Sequence, residues 1–261
     1  MTLPKKQTLT ALVITYNEEQ NIKAVLNNLA FADEIIVVDS FSSDATFAIA
    51  SSFKNVKIVQ RVFDNFASQR NYALSLATNS WILFIDADER LTTELEKEIS
   101  SIINKQSSAS AYFMHRTFMF QNKKLHFSGW QTDKIIRLFK KENAYYNHEK
   151  IVHEKLITAG ETGKLKNRLI HYSYSTYDDY KQKMIHYGQL KAQEELVKKT
   201  KPHFFHFYIR PVYQFLNQYI LRLGILDGKK GIIVCYLNAL SVAVRFQELK
   251  KLRSKTTISR T

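Results

Sequence analysis

Hydrophobic and polar positions alternate between two periods over the first hundred residues. Leu9–Thr15 is a continuous apolar run, the pattern of a strand buried on both faces. Glu34–Asp39, Val56–Gln60 and residues 81–86 (Trp-Ile-Leu-Phe-Ile-Asp) repeat it. Helix-period segments lie between them. Asn17, with Gln20 in capping-box spacing, opens a helix to about Leu29. Further helices are predicted over 44–53, Phe66–Leu76 and 92–103. Strands alternating with helices predict a mostly parallel, doubly wound sheet.

The pattern then changes. Residues 111–120 and 124–127 flank Asn122-Lys123, which predicts a hairpin, and 135–139 and 152–156 read as strands. From Tyr177 onward the period is helical. Residues 177–196 form a polar helix; 204–223 and 229–249 are apolar and aromatic helices separated by Gly224-Ile225-Leu226-Asp227-Gly228. This division predicts a first domain over 1–175, falling into halves 8–105 and 106–175, and a helical extension over 176–261. The longest weakly polar run, 231–244, is interrupted by Asn238 and is short beside the roughly 20 residues of a membrane span. No apolar targeting segment follows the charged start Met1-Thr2-Leu3-Pro4-Lys5-Lys6.

Composition sharpens this picture in two ways. The single Cys among 261 residues, Cys235, excludes an intramolecular disulfide framework and a Cys-based zinc cage. The net charge of +14 is unevenly placed: residues 1–161 hold 19 Lys and Arg against 18 Asp and Glu, and residues 162–261 hold 19 against 6. The excess belongs to the last hundred residues and points to an anionic partner, nucleic acid or a membrane surface.

In open α/β sheets ligands bind outside the carboxyl ends of the strands. Thr15-Tyr16-Asn17-Glu18, Asp39-Ser40 and Asp86-Ala87-Asp88 fall at three of those ends. In extended backbone, Asp86 and Asp88 would point the same way. Two carboxylates so placed repel unless a cation lies between them, and Mg²⁺ or Mn²⁺ binds such oxygens together with substrate phosphates. Asp88-Glu89 is also suited to capping the next helix, Asp39 to a turn and Arg70 to a solvated helix face.

Ala11-Leu12-Val13-Ile14-Thr15-Tyr16-Asn17-Glu18-Glu19, Ile36-Val37-Val38-Asp39-Ser40 and Asp86-Ala87-Asp88-Glu89 together resemble glycosyltransferase family 2. Gly129-Trp130, Ile136-Arg137-Leu138-Phe139, Val152-His153-Glu154 and His171-Tyr172-Ser173-Tyr174 resemble the branch holding bacterial lipopolysaccharide-core β-glucosyltransferases. The resemblance implies a GT-A fold: a Rossmann-like α/β sheet with flanking helices, here with a C-terminal helical extension. It implies inverting, metal-dependent transfer from a nucleotide-sugar, UDP-linked by family frequency, to a lipopolysaccharide-core or other lipid-linked acceptor. Thr15, Tyr16 and Glu18 would lie along base and ribose, and Asp39 would hydrogen-bond the base. Arg70 and Asn71 would lie near base and diphosphate, and Asp86 near ribose or donor sugar. Asp88 would bind Mn²⁺ or Mg²⁺, with His171 completing the shell. An inverting transfer needs a general base on the acceptor side. Glu154 is the candidate, with Asp133 and Glu149 in reserve, and Trp130 is a candidate sugar platform.

Two other classes were weighed. A sugar-nucleotide-forming nucleotidyltransferase ordinarily has a Gly-rich loop after the first strand, and Tyr16-Asn17-Glu18-Glu19-Gln20 has none. A non-catalytic protein on the same fold would have no need of Asp86, Asp88 and Glu154. The basic aromatic tail fits nucleic acid or an anionic membrane surface. The membrane is favoured, with peripheral placement at the inner face of a bacterial cytoplasmic membrane and no nucleic-acid partner.

Overall fold

The computed structural model describes residues 7–105, 109–147, 156–174 and 176–258. They form two compact units. The first draws on Met1–Arg116 and Asp133–His171, the second on Thr117–Thr132 and Tyr172–Thr261.

The first unit is built on β1 (Leu9–Thr15), β2 (Glu34–Asp39), β3 (Val56–Gln60) and β4 (Trp81–Phe84), in the order β3-β2-β1-β4. All three pairings are parallel. The helices between them are α1 (Glu19–Asn28), α2 (Thr46–Ser51) and α3 (Phe66–Leu76). Side chains alternate faces along a strand, and the core follows that alternation. Leu9, Ala11, Val13, Ile35 and Val37 pack on one face with Ile22, Val25 and Leu26 of α1. Leu12, Ile36, Val38, Ile82 and Phe84 pack on the other with Ala67, Ala73 and Leu74 of α3. Burial on both faces is why these strands read as unbroken apolar runs.

A second set of strands makes the sheet mixed. These are β5 (Glu89–Arg90), β6 (Ala111–Phe120), β7 (Lys123–Leu125), β8 (Lys134–Lys140), β9 (Ala144–Tyr146), β10 (Leu156–Thr158), β11 (Thr162–Lys164) and β12 (Leu169–Tyr174). β8 runs antiparallel to β4 and β6, β12 antiparallel to β5, and β9 and β10 form a separate pair. Between β5 and β6 lies α4 (Thr93–Asn104), capped by Thr92, whose hydroxyl accepts from the Leu95 N–H at 3.2 Å.

Several local expectations are corrected. Asn17 does not cap α1: it sits at φ +54° and its Oδ1 accepts from the Ser43 N–H, so the capping box never closes. The hairpin turns at Gln121-Asn122 rather than Asn122-Lys123. Both residues take positive φ, +48° and +57°, as a two-residue type I′ turn requires. The fourth strand stops at Phe84, and the chain reverses over 86–89, where the Glu89 N–H donates to the Asp86 carbonyl at 2.9 Å. The predicted strand at 152–156 lies largely outside the described residues.

The second unit is helical. α5 (Tyr177–Val197) packs along α7 (Gly228–Ile258). Tyr180 and Met184 of α5 join Val234 and Leu237 of α7 and Phe118, Phe120 and Leu125 in one apolar cluster. The Tyr180 hydroxyl donates to Asn238 Oδ1 at 2.9 Å. α6 (Arg210–Leu216) is flanked by π turns at Phe205–Ile209 and Asn217–Leu221. The stretch Gly224–Lys255 has a mean hydropathy of 1.4 in its most apolar part. By length and composition alone it is long enough to cross a membrane, unlike the shorter run seen in the sequence, and 39% of that part is buried in the protein.

Candidate active site

The parallel register sets the residues at three strand ends in a row. Thr15 pairs with Asp39, and Asp39 with Gln60, all at strand carboxyl ends. Asp39 is fully buried. Its Oδ2 accepts from the Ser42 N–H and from Gln60 Nε2, each at 3.0 Å, and its Oδ1 from the Ser42 hydroxyl at 2.5 Å. Asp39 therefore shapes the loop after β2. Thr15 is 4% exposed, and its Oγ1 has no hydrogen-bond partner among the described residues. Tyr16 stands 60% exposed beside it, a free ring face at the edge of the row. The Glu18 N–H donates to Thr46 Oγ1 at 2.7 Å and its carboxylate accepts from Asn21. Asn71 exchanges two hydrogen bonds with the Tyr146 backbone, at 2.8 and 2.9 Å. It ties α3 to β9 instead of facing the row.

The centre of the site is a charge cluster. Asp86 accepts from Arg70 Nη2 at 2.8 Å through Oδ1 and from Arg137 Nη2 through Oδ2. The same Arg137 nitrogen donates to Glu89 Oε1 at 2.8 Å. Glu89 is fully buried; its Oε2 accepts from the Asp86 N–H at 3.0 Å, and Arg116 approaches its Oε1 at 3.4 Å. Arg116 also holds Asp133 at 2.7 Å. Register explains the meeting. Leu83 pairs with Leu138, so Arg137 falls level with the end of β4. Arg70 lies over the Phe84 ring, 4.6 Å from its centre. Burial alone would raise the Asp86 carboxyl; the charges of Arg137 and Arg70, then His171, outweigh it and hold that carboxyl far below the usual carboxylate range.

The extended run expected through Asp86 and Asp88 is broken, because the strand ends at Phe84 and the Glu89 N–H closes a turn onto the Asp86 carbonyl. The turn after Phe84 sends Asp86 to its arginines and Asp88 to His171, whose Nε2 lies 3.2 Å from Asp88 Oδ2. The pairing of β5 with β12, with Glu89 opposite His171, delivers that histidine. Among the described residues no three His, Cys, Asp or Glu side chains gather as a metal cluster. Asp88 and His171 do supply one oxygen and one nitrogen at a shared edge, both partly solvent-exposed. Those donors fit Mn²⁺ or Mg²⁺ only where phosphate oxygens and water complete the shell.

A family model, "Glycosyl transferase family 2", matches residues 10–160. The chain belongs to glycosyltransferase family 2. An uncharacterized glycosyltransferase of Rickettsia felis is 29% identical to it over 97% of this chain and 93% of that one. A lipopolysaccharide core biosynthesis glycosyltransferase of Rhizobium meliloti, LpsC, is 23% identical over 92% and 93%. Among solved structures, S. aureus TarS aligns over 95% of this chain and 92% of its own at a TM-score of 0.48 and 17% identity. By the family match, the α/β sheet with flanking helices is the GT-A fold of a family 2 glycosyltransferase, and it carries a long apolar C-terminal helix.

Three members of this glycosyltransferase's charge cluster were missed as site residues: Arg137, Glu89 and Arg116. Arg137 carried a signal, as the one charge inside the apolar strand Ile135-Ile136-Arg137-Leu138-Phe139; a charge in a doubly buried strand needs partners. Glu154 and Glu149 lie outside the described residues. Asp133 is engaged by Arg116. Trp130 belongs to the second unit, where it stacks on Phe118 with ring centres 3.9 Å apart.

Proposed function

We propose that this family 2 glycosyltransferase moves a sugar, with inversion, from a nucleotide-diphosphate donor to a lipopolysaccharide-core or related lipid-linked glycan at the inner face of the cytoplasmic membrane. The observation that carries the reading is the Asp88–His171 pair, 3.2 Å apart, beside an Asp86 held by two arginines. The core-biosynthesis relative supports the acceptor class.

In this reading Thr15, Tyr16 and Asp39 border the base and ribose, and UDP is the donor nucleotide. Asp88 and His171 would hold Mn²⁺ or Mg²⁺, which when bound would supply positive charge against the negative charge developing on the leaving diphosphate. Asp86, kept ionised and oriented by Arg70 and Arg137, accepts hydrogen bonds from donor hydroxyls. Glu154 takes the proton from the acceptor hydroxyl as its oxygen attacks the anomeric carbon opposite the departing diphosphate. The transition state has oxocarbenium character, as in glycoside hydrolysis.

The test is thermal-shift and donor-hydrolysis screening across nucleotide-sugars, with and without Mn²⁺. Metal-dependent stabilisation by one nucleotide class is expected. Asp88→Ala should remove it, lower turnover by about 10²-fold or more, and leave the melting temperature of the free protein unchanged. Full activity in Asp88→Ala would refute the metal role.

A further inference from the structure

The helix of α6 and its two π turns leaves a four-residue repeat of large apolar side chains in solvent. Phe204, Tyr208, Val212, Leu216 and Ile220 form one exposed column, each 45–68% accessible. One position on, Phe205, Ile209 and Tyr213 form a second. An α-helix has about 3.6 residues per turn, so a four-residue repeat drifts about 40° around the axis at each step. The looser π turns at both ends, with their i→i+5 bonds, bring the repeat back toward one line. The opposite side is occupied. Gln218 accepts from Asn238 of α7 at 2.9 Å, and the His206 ring lies 4.8 Å from that of Phe246.

Charge accompanies the stripe. No Asp or Glu occurs between Glu195 and Asp227, an interval with five basic residues: Lys198, Lys199, Lys201, Arg210 and Arg222. Arg210, Tyr213, Gln214, Val242 and Arg245 line a cleft of about 170 Å³ at the border of the stripe. The Arg245 Nε is buried there without a hydrogen-bond partner among the described residues. Burial is the main influence pushing the Arg245 guanidinium down; Glu195 opposes that shift and Arg210 adds to it. An anionic oxygen in this cleft would satisfy both arginines.

We propose that this stripe is the surface that enters an anionic lipid leaflet, and that Arg210 and Arg245 seat a lipid headgroup phosphate beside it. The inference rests on the membrane placement proposed above and assigns it to one helix face instead of the whole extension. A scattered set of apolar side chains would need no partner, but a continuous stripe of this size does. Its chemistry is that of an interfacial helix, apolar below and basic around, lying in the plane of the membrane.

The full-length protein is sedimented with vesicles of phosphatidylcholine alone and of phosphatidylcholine with phosphatidylglycerol. Wild type is expected to pellet with the anionic vesicles and much less with the neutral ones. Val212→Gln with Leu216→Gln keeps the charge and should weaken binding by about ten-fold or more, with donor hydrolysis unchanged. Arg245→Gln should narrow the gap between anionic and neutral vesicles. Wild type that ignores both vesicles sinks the membrane placement and this proposal with it. Wild type that binds while the Val212/Leu216 variant binds equally well overturns the stripe alone. An unchanged anionic preference in Arg245→Gln overturns the headgroup seat. A sedimentation shift from dimer to monomer in the stripe variant, without a change in vesicle binding, would mark the face as a self-association surface and also overturn the proposal.

Discussion

Arg137 shows how one residue can organise a site from inside the core. It is 2% exposed and bonds both Asp86 and Glu89. Removing one member of a buried ion pair leaves an uncompensated charge and costs about 3–5 kcal/mol. Arg137→Met should therefore destabilise the first unit by about 3 kcal/mol in urea denaturation, since Arg70 and Arg116 remain as partial partners. Arg137→Lys keeps the charge but not the planar fork, and should fall between the two. Asp86 adds a pH dependence. Its folded-state carboxyl titrates far below the ordinary value of about 3.9. The stability it contributes is complete above that unfolded value and is lost as pH falls below it. Acid titration followed by circular dichroism should show this loss, and Asp86→Asn should flatten the profile below about pH 4. The placement of Thr15 and Asp39 at strand carboxyl ends was legible because unbroken apolar runs mark those strands. The backbone at Asp86 and Asp88 was not: alternation holds only while the strand continues, and it stops at Phe84.

At the scale of elements, long periodic segments were readable and short ones were not. β1 to β3 and α3 appear where their apolar periods put them. α2 is six residues, Thr46–Ser51, against an expected ten, because Asp44 turns its Oδ1 onto the Thr46 N–H and starts the helix late. β5 has two residues and no period to read. It is held by its partner β12, and only the three-dimensional pairing defines it. The packing of α5 on α7 yields another prediction. A Cβ at Gly188 would meet the Ser241 carbonyl oxygen at 2.7 Å and Val244 at 2.9 Å. Backbone cannot move aside as a flexible side chain can. Gly188→Ala should therefore lower stability by about 1–3 kcal/mol despite its better helix propensity, read as a drop in the melting temperature of the second unit.

For the whole molecule, the charge of +14 is divided unevenly. The strand-end residues lie where positive and negative charges nearly balance, and each arginine of the cluster has a carboxylate partner. The excess lies in the last hundred residues, with the exposed apolar stripe. Removing residues 200–261 would strip α7 from α5 and expose Tyr180 and Met184, so side-chain substitutions are the cleaner probe of this region. The β5–β12 pairing also has a consequence in time. Asp88 emerges from the ribosome long before His171, and the two meet only when β12 docks on β5. Closing so long a loop costs entropy before the contact rewards it. A nascent chain can complete the parallel half of its sheet, with Asp39 already buried, and still lack the Asp88–His171 edge. The Asp88–His171 edge thus waits for the last residues of the first unit to be synthesised.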